Sequence, residues 1–247
     1  GLFTSNKQDK AATLYKEAAS DFKMGNDYYT AAECLEKAGE CYIKQKDVRP
    51  AAVAYTEAAK AYLTCVYPAL AEKTFEELAA DVDNENATTQ DKEESDKVVS
   101  PLANQKLKID KAIEKTPEEL DEEFKKIRGA TESIRCFDKA VTLLCESGNF
   151  KEAARLRKEQ SEIALMNNNF VEVVKNCAAA AEYYESEKQY PHANLMLERQ
   201  AETLAWPMKK FDEAVEVYDE LLNAPWNAQL QSGAVTLLQF SANKFIF

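Results

Sequence analysis

Few residues of this chain could carry acid–base or metal chemistry. Its one histidine, His192, follows Pro191 at an expected helix start. A surface position accounts for it there, and a single imidazole cannot build a multi-histidine metal site. The six cysteines include no CxxC pair and none of the spacings of a zinc site. Gly129, Gly148 and Gly233 stand alone, with no Gly-Lys-Ser/Thr behind them, so there is no phosphate-cradling loop. The carboxylates Glu118, Glu119, Asp121, Glu122 and Glu123 crowd a helix start, where they suit the positive end of the dipole and meet solvent. No catalytic residue, metal or cofactor is expected, and the chain reads as a binding protein rather than an enzyme.

The elements that would position a binding surface are plain. Ala11, Ala12, Leu14, Tyr15, Ala18, Ala19 and Phe22 return twenty residues later as Ala31, Ala32, Cys34, Leu35, Ala38, Gly39 and Tyr42. Twenty further on stand Ala51, Ala52, Ala54, Tyr55, Ala58, Ala59 and Tyr62. Such rows occupy one helical face, and their small members let a second helix approach closely. A helix plus a short turn fills the step, so a helical hairpin recurs every two steps. The fold class is therefore all-α, a tetratricopeptide-like α-solenoid of antiparallel helical hairpins.

A fourth row, from Ala71 to Val82, ends the first series. Residues 83–130 read as an acidic insertion between repeats: polar Asp83–Ser100 as a loop, then a helix over Leu102–Ile113. Thr116-Pro117-Glu118-Glu119 is a capping box, so another helix is expected from there to Ile127, stopping near Gly129. The rows resume at Ser133, Ile134, Cys136, Phe137, Ala140, Val141 and Leu144, and continue at 153, 173, 193, 214 (one residue late) and 234. Ten repeat helices result, within one domain of residues 1–247. The last has no polar capping unit, so a further C-terminal part is expected.

Cys34, Cys41, Cys136 and Cys177 fall on the apolar rows and read as small core residues in a reducing compartment. With no secretory signal, membrane span or lipidation motif, a cytoplasmic location is expected. The net charge of −12 argues against nucleic-acid binding and leaves room for a local basic face.

One resemblance sharpens this. Gly1-Leu2-Phe3, then Ala18-Ala19-x-x-Phe22-Lys23-Met24 and Ala31-Ala32, resemble the α-type soluble NSF attachment proteins (SNAPs), which carry a Gly-Leu-Phe loop and an Ala-Ala-x-x-Phe-Lys-Met helix end. Gly148-Asn149-Phe150-x-x-Ala153-Ala154 and Tyr183-Tyr184 extend the likeness. It implies a twisted sheet of hairpins with a basic concave face that lies along the acidic four-helix SNARE bundle left after membrane fusion. It also implies recruitment of the ATPase NSF, which pulls that bundle apart. By position, Lys23, Arg155 and Arg199 match basic residues of the SNARE-binding face, whereas Asp27, Asn149 and Leu195 stand where the family has basic ones. That departure bears on affinity and on the identity of the SNARE partner. Leu2 and Phe3 match a membrane-touching loop, which would make the protein peripherally membrane-associated. The family's first helix would precede Gly1, and the C-terminal helices that engage NSF are not recognisable. Two other readings compete: a generic tetratricopeptide-like scaffold or chaperone cofactor, and a regulatory subunit that uses the acidic insertion. Neither accounts for Gly1-Leu2-Phe3 together with Phe22-Lys23-Met24.

Overall fold

The computed structural model describes residues 2–68, 117–224 and 226, with side chains from residue 7 onward except 117–124 and 127. All regular structure among them is helical: α1 (Leu2–Met24), α2 (Tyr28–Gln45), α3 (Val48–Val66), α4 (Pro117–Glu146), α5 (Phe150–Met166), α6 (Phe170–Ser186), α7 (Tyr190–Ala205) and α8 (Phe211–Asn223). The chain divides into two compact units, Gly1–Lys46 with Val53–Cys136, and Asp47–Ala52 with Phe137–Phe247. The expected rows at 71–82 and 234–245, and the expected loop and helix over 83–113, lie outside the described residues.

The twenty-residue step is set by the turns. At Asn26, Gly148, Asn168 and Lys188 the backbone enters the left-handed region, with φ of 59°, 72°, 52° and 57°. Each carries the Schellman pair of bonds: Asn26 N–H donates to the Lys23 carbonyl at 3.0 Å, and Asp27 N–H to the Phe22 carbonyl at 2.9 Å. The same pair recurs at Gly148–Asn149, Asn168–Asn169 and Lys188–Gln189. The residue that closes one helix then opens the next. Asp27 accepts from Ala31 N–H through its carbonyl, and its carboxylate caps Thr30 N–H at 3.1 Å. The step from α7 to α8 holds one more residue, and there Lys210 N–H reaches back to the Leu204 carbonyl. That is why the row at 214 comes late.

In the first unit α1 packs on α2, with Ala12 against Ala38, Cys41 and Ala54. Gly39 is small because Tyr55 lies on it; a Cβ there would meet the ring at 2.9 Å. Burying side chains of the size of Tyr55 and Leu35 contributes roughly 1.5–3 kcal/mol each. Glu36 of α2 accepts the Tyr62 hydroxyl at 2.8 Å and pairs with Arg135 of α4 at 2.5 Å. Burial and this bond hold the Tyr62 phenol well above its usual range. Burial, then the Glu36 charge, push the Cys136 thiol up to about 12, so it stays protonated.

In the second unit α5, α6, α7 and α8 pack in sequence, so short turns make successive helices antiparallel. Ala154, Ala181, Tyr184, Ala193, Met196, Leu197, Ala201, Tyr218 and Leu221 form its core. A polar knot ties three helices: Arg157 donates to Asp138 at 2.7 Å, Gln160 at 2.9 Å and Asn176 at 3.3 Å.

Three local expectations change. Leu2 and Phe3, which the resemblance places in a loop, begin the first helix, because no Pro or Gly interrupts residues 2–8. The helix from Pro117 does not stop near Gly129 but runs to Glu146. Gly129 marks a close approach, since a Cβ there would lie 3.1 Å from the Tyr62 carbonyl oxygen. Leu14, 64% exposed, and Ile134 leave the core although both belong to the repeated row. The rows are wider than the surface each helix covers. Cys34, Cys41, Cys136 and Cys177 are buried and unbridged.

Candidate SNARE-binding face

Leu2 and Phe3 lie in the first turn of α1, a helix rather than a loop; their side chains lie outside the described residues. Lys23 belongs to the first unit. It is half-buried in the last turn of α1, where a cation faces the negative end of the helix dipole. Beside it Phe22 and Met24 are exposed.

Arg155 and Arg199 both belong to the second unit. The α5 helix starts at the Asn149 joint, and its buried row Ala153, Ala154, Leu156, Gln160 turns residues 151, 155, 158 and 162 onto another stripe. Lys151 and Arg155 are exposed there, Lys158 is partly covered, and Glu162 is only 8% exposed. Arg155 leans back on Glu152 at 3.1 Å, an exposed pair of small net worth. On α7, Arg199 follows exposed Leu195 by one turn, and its side chain is 36% exposed. Arg199 Nη1 lies 3.6 Å from Glu162 Oε1, and Lys158 Nζ lies 3.6 Å from the same oxygen.

One buried carboxylate thus faces two cations, Lys158 on its own helix and Arg199 of α7, and the second joins α5 to α7. Beneath it, Cys177 of α6 is pushed up to about 11, first by burial, while a Ser161 hydrogen bond and the Arg199 charge oppose the shift. Burial also raises the Tyr184 phenol, against the opposing charges of Lys158 and Arg155. The exposed His192 ring rests tilted on Tyr184, with centroids 5.2 Å apart.

Lys151, Arg155 and Lys158 share one stripe of α5, and Arg199 of α7 reaches Glu162 on the same stripe. Spacing from Arg155 by four, three and seven residues was the available sign of Lys151, Lys158 and Glu162. Nothing in the sequence placed Arg199 against Glu162. Asn149, where the family has a base, is a helix-opening residue. Asp27 caps α2. Among the described residues no three His, Cys, Asp or Glu side chains gather to hold a metal, and no helix is long and apolar enough to cross a membrane. This arrangement sets positive side chains around one buried carboxylate.

The comparisons with known proteins agree with the helical repeats. The family model of the soluble NSF attachment protein, SNAP, matches residues 1–116 and 102–242. An alpha-soluble NSF attachment protein of Vitis vinifera is 27% identical over 92 residues, covering 37% of this chain and 32% of that relative. The match thus spans about a third of the relative's length. With nearly every residue under one family model and helices throughout the described part, the chain belongs to the soluble NSF attachment protein (SNAP) family.

Proposed function

We propose that the chain is an adaptor of SNARE complex disassembly: it binds the post-fusion SNARE four-helix bundle and recruits the ATPase NSF, with no chemistry of its own. Family membership over most of the chain supports the class. The observation that carries the binding reading is the basic stretch Lys151, Arg155, Lys158 and Arg199 on an otherwise acidic protein of net charge −12. A like-charged bundle would be repelled by the average surface, so attraction has to be local. Lys23 contributes from the first unit. Leu2 and Phe3 contact the membrane from the first turn of α1, and their weak attachment adds to the SNARE contact through effective concentration. The protein works in the cytoplasm, peripherally on membranes, and has no nucleic-acid partner.

Arg155→Glu with Arg199→Glu tests this. Binding to an assembled SNARE bundle is expected to weaken by about 2 kcal/mol, with a shallower dependence on salt, since reversal adds repulsion to lost attraction. Circular dichroism must match wild type. A folded double variant that binds like wild type removes these two residues from the face. Leu2→Ser with Phe3→Ser is expected to lower disassembly on liposomes and to leave soluble bundles nearly unaffected; equal losses would mean a folding role.

A further inference from the structure

The geometry points to Glu162 as an internal counter-charge that holds back the basic stretch: we infer that it occupies Lys158 and Arg199 in the free protein and competes with the partner's carboxylates. This rests on the reading of that stretch as the face for an acidic helical bundle.

Three observations carry it. Glu162 is a carboxylate only 8% exposed, and such a charge persists inside a fold only with partners nearby. Its partners come from two helices, Lys158 four residues along α5 and Arg199 on α7, both at 3.6 Å. That distance lies beyond a good hydrogen bond, and the buried Arg199 Nη1 makes none. The pairing is therefore electrostatic and loose, and the exposed remainder of the guanidinium stays available to a carboxylate from outside. Removing the Glu162 charge leaves an incoming Asp or Glu one more unit of positive charge to meet at this point.

The consequence is a sign that a purely structural residue would not give. Glu162→Gln, which keeps the shape, is expected to tighten binding to an assembled SNARE bundle about three- to tenfold and to steepen its salt dependence, as one more unit charge at several ångströms implies. In an Arg199→Gln background the gain should shrink to less than about twofold, because the restrained cation is gone. Unchanged or weaker binding by folded Glu162→Gln overturns the inference. Should that variant fail to fold, Lys158→Gln decides: weaker binding by about threefold is expected, and wild-type binding overturns the role given to this pair. Should wild type bind no bundle, the function proposed above falls. The restraint is then read separately from the arginine Nε–H NMR signal of Arg199, which should become more mobile in Glu162→Gln; an unchanged signal overturns it.

Discussion

Arg135 and Arg199 each reach from one helix to a carboxylate on another, and they do opposite things. Arg135 meets Glu36 at 2.5 Å and Glu132 at 2.6 Å, while Glu36 also accepts the Tyr62 hydroxyl. These bonds tie α2, α3 and α4 of the first unit together. Arg199 stands 3.6 Å from a carboxylate it shares with Lys158. The first arrangement makes short, direct bonds, and the second is longer and shared. Distance and sharing, rather than residue type, separate a tight clamp from a loose contact.

The largest expected effect comes from breaking the clamp. Glu36→Ala leaves the Tyr62 hydroxyl and part of Arg135 unpaired, and should cost about 2–4 kcal/mol in urea unfolding. Arg199→Gln should cost less in the same assay, since its pair is longer and Lys158 still faces Glu162. If the two losses are equal, the distinction between clamp and contact is wrong. Next, Gly39→Ala forces a Cβ to 2.9 Å from the fully buried Tyr55 ring. A net loss of about 1–2 kcal/mol is expected despite better helix propensity, because the ring has nowhere to go.

A smaller, pH-dependent effect should belong to the second unit. Burial, and then Glu202, raise the Glu198 carboxyl above its usual 4.5; burial, then Glu220 and Glu182, do the same for Glu185. Between the ordinary and the raised values the folded protein binds more protons than the unfolded chain. Stability therefore falls as pH rises through that window, and the penalty is fully present above it. Glu198→Gln should raise the melting temperature at pH 7.5 more than at pH 5. An equal rise at both would assign the gain to packing. The smallest effect expected is at a turn: Lys188, at φ 57°, should gain about 0.5–1 kcal/mol on replacement by glycine.

The repeat itself was legible because small and apolar residues return at a fixed step, and every described row became a helix. Helix ends were less so. Gly129 looks like a terminator in one dimension; only the Tyr62 carbonyl lying over it shows that it admits a neighbour. Leu14 and Ile134 carry the same hydrophobic sign as buried row members, and coverage by other helices, which no single row encodes, decides their exposure. Arg155 and Arg199 stand out in the sequence by likeness to the family. The nearness of Glu162 to Arg199 does not, since it comes from a helix more than thirty residues away.

The shared joints between helices have a consequence for how such a chain can change in length. Asp27, Asn149, Asn169 and Gln189 each close one helix through their amide and open the next through their carbonyl. With no slack residue between the two tasks, an added residue inside a helix would turn everything beyond it by about 100° and take its apolar row off the core. Length drift in this chain is therefore quantised: it is tolerated as a whole helix, or as a loosened joint like the one at Lys210, where the amide reaches one residue further back. Gene-level insertions should survive selection at the joints in steps that restore phase, and engineered hinges belong there too.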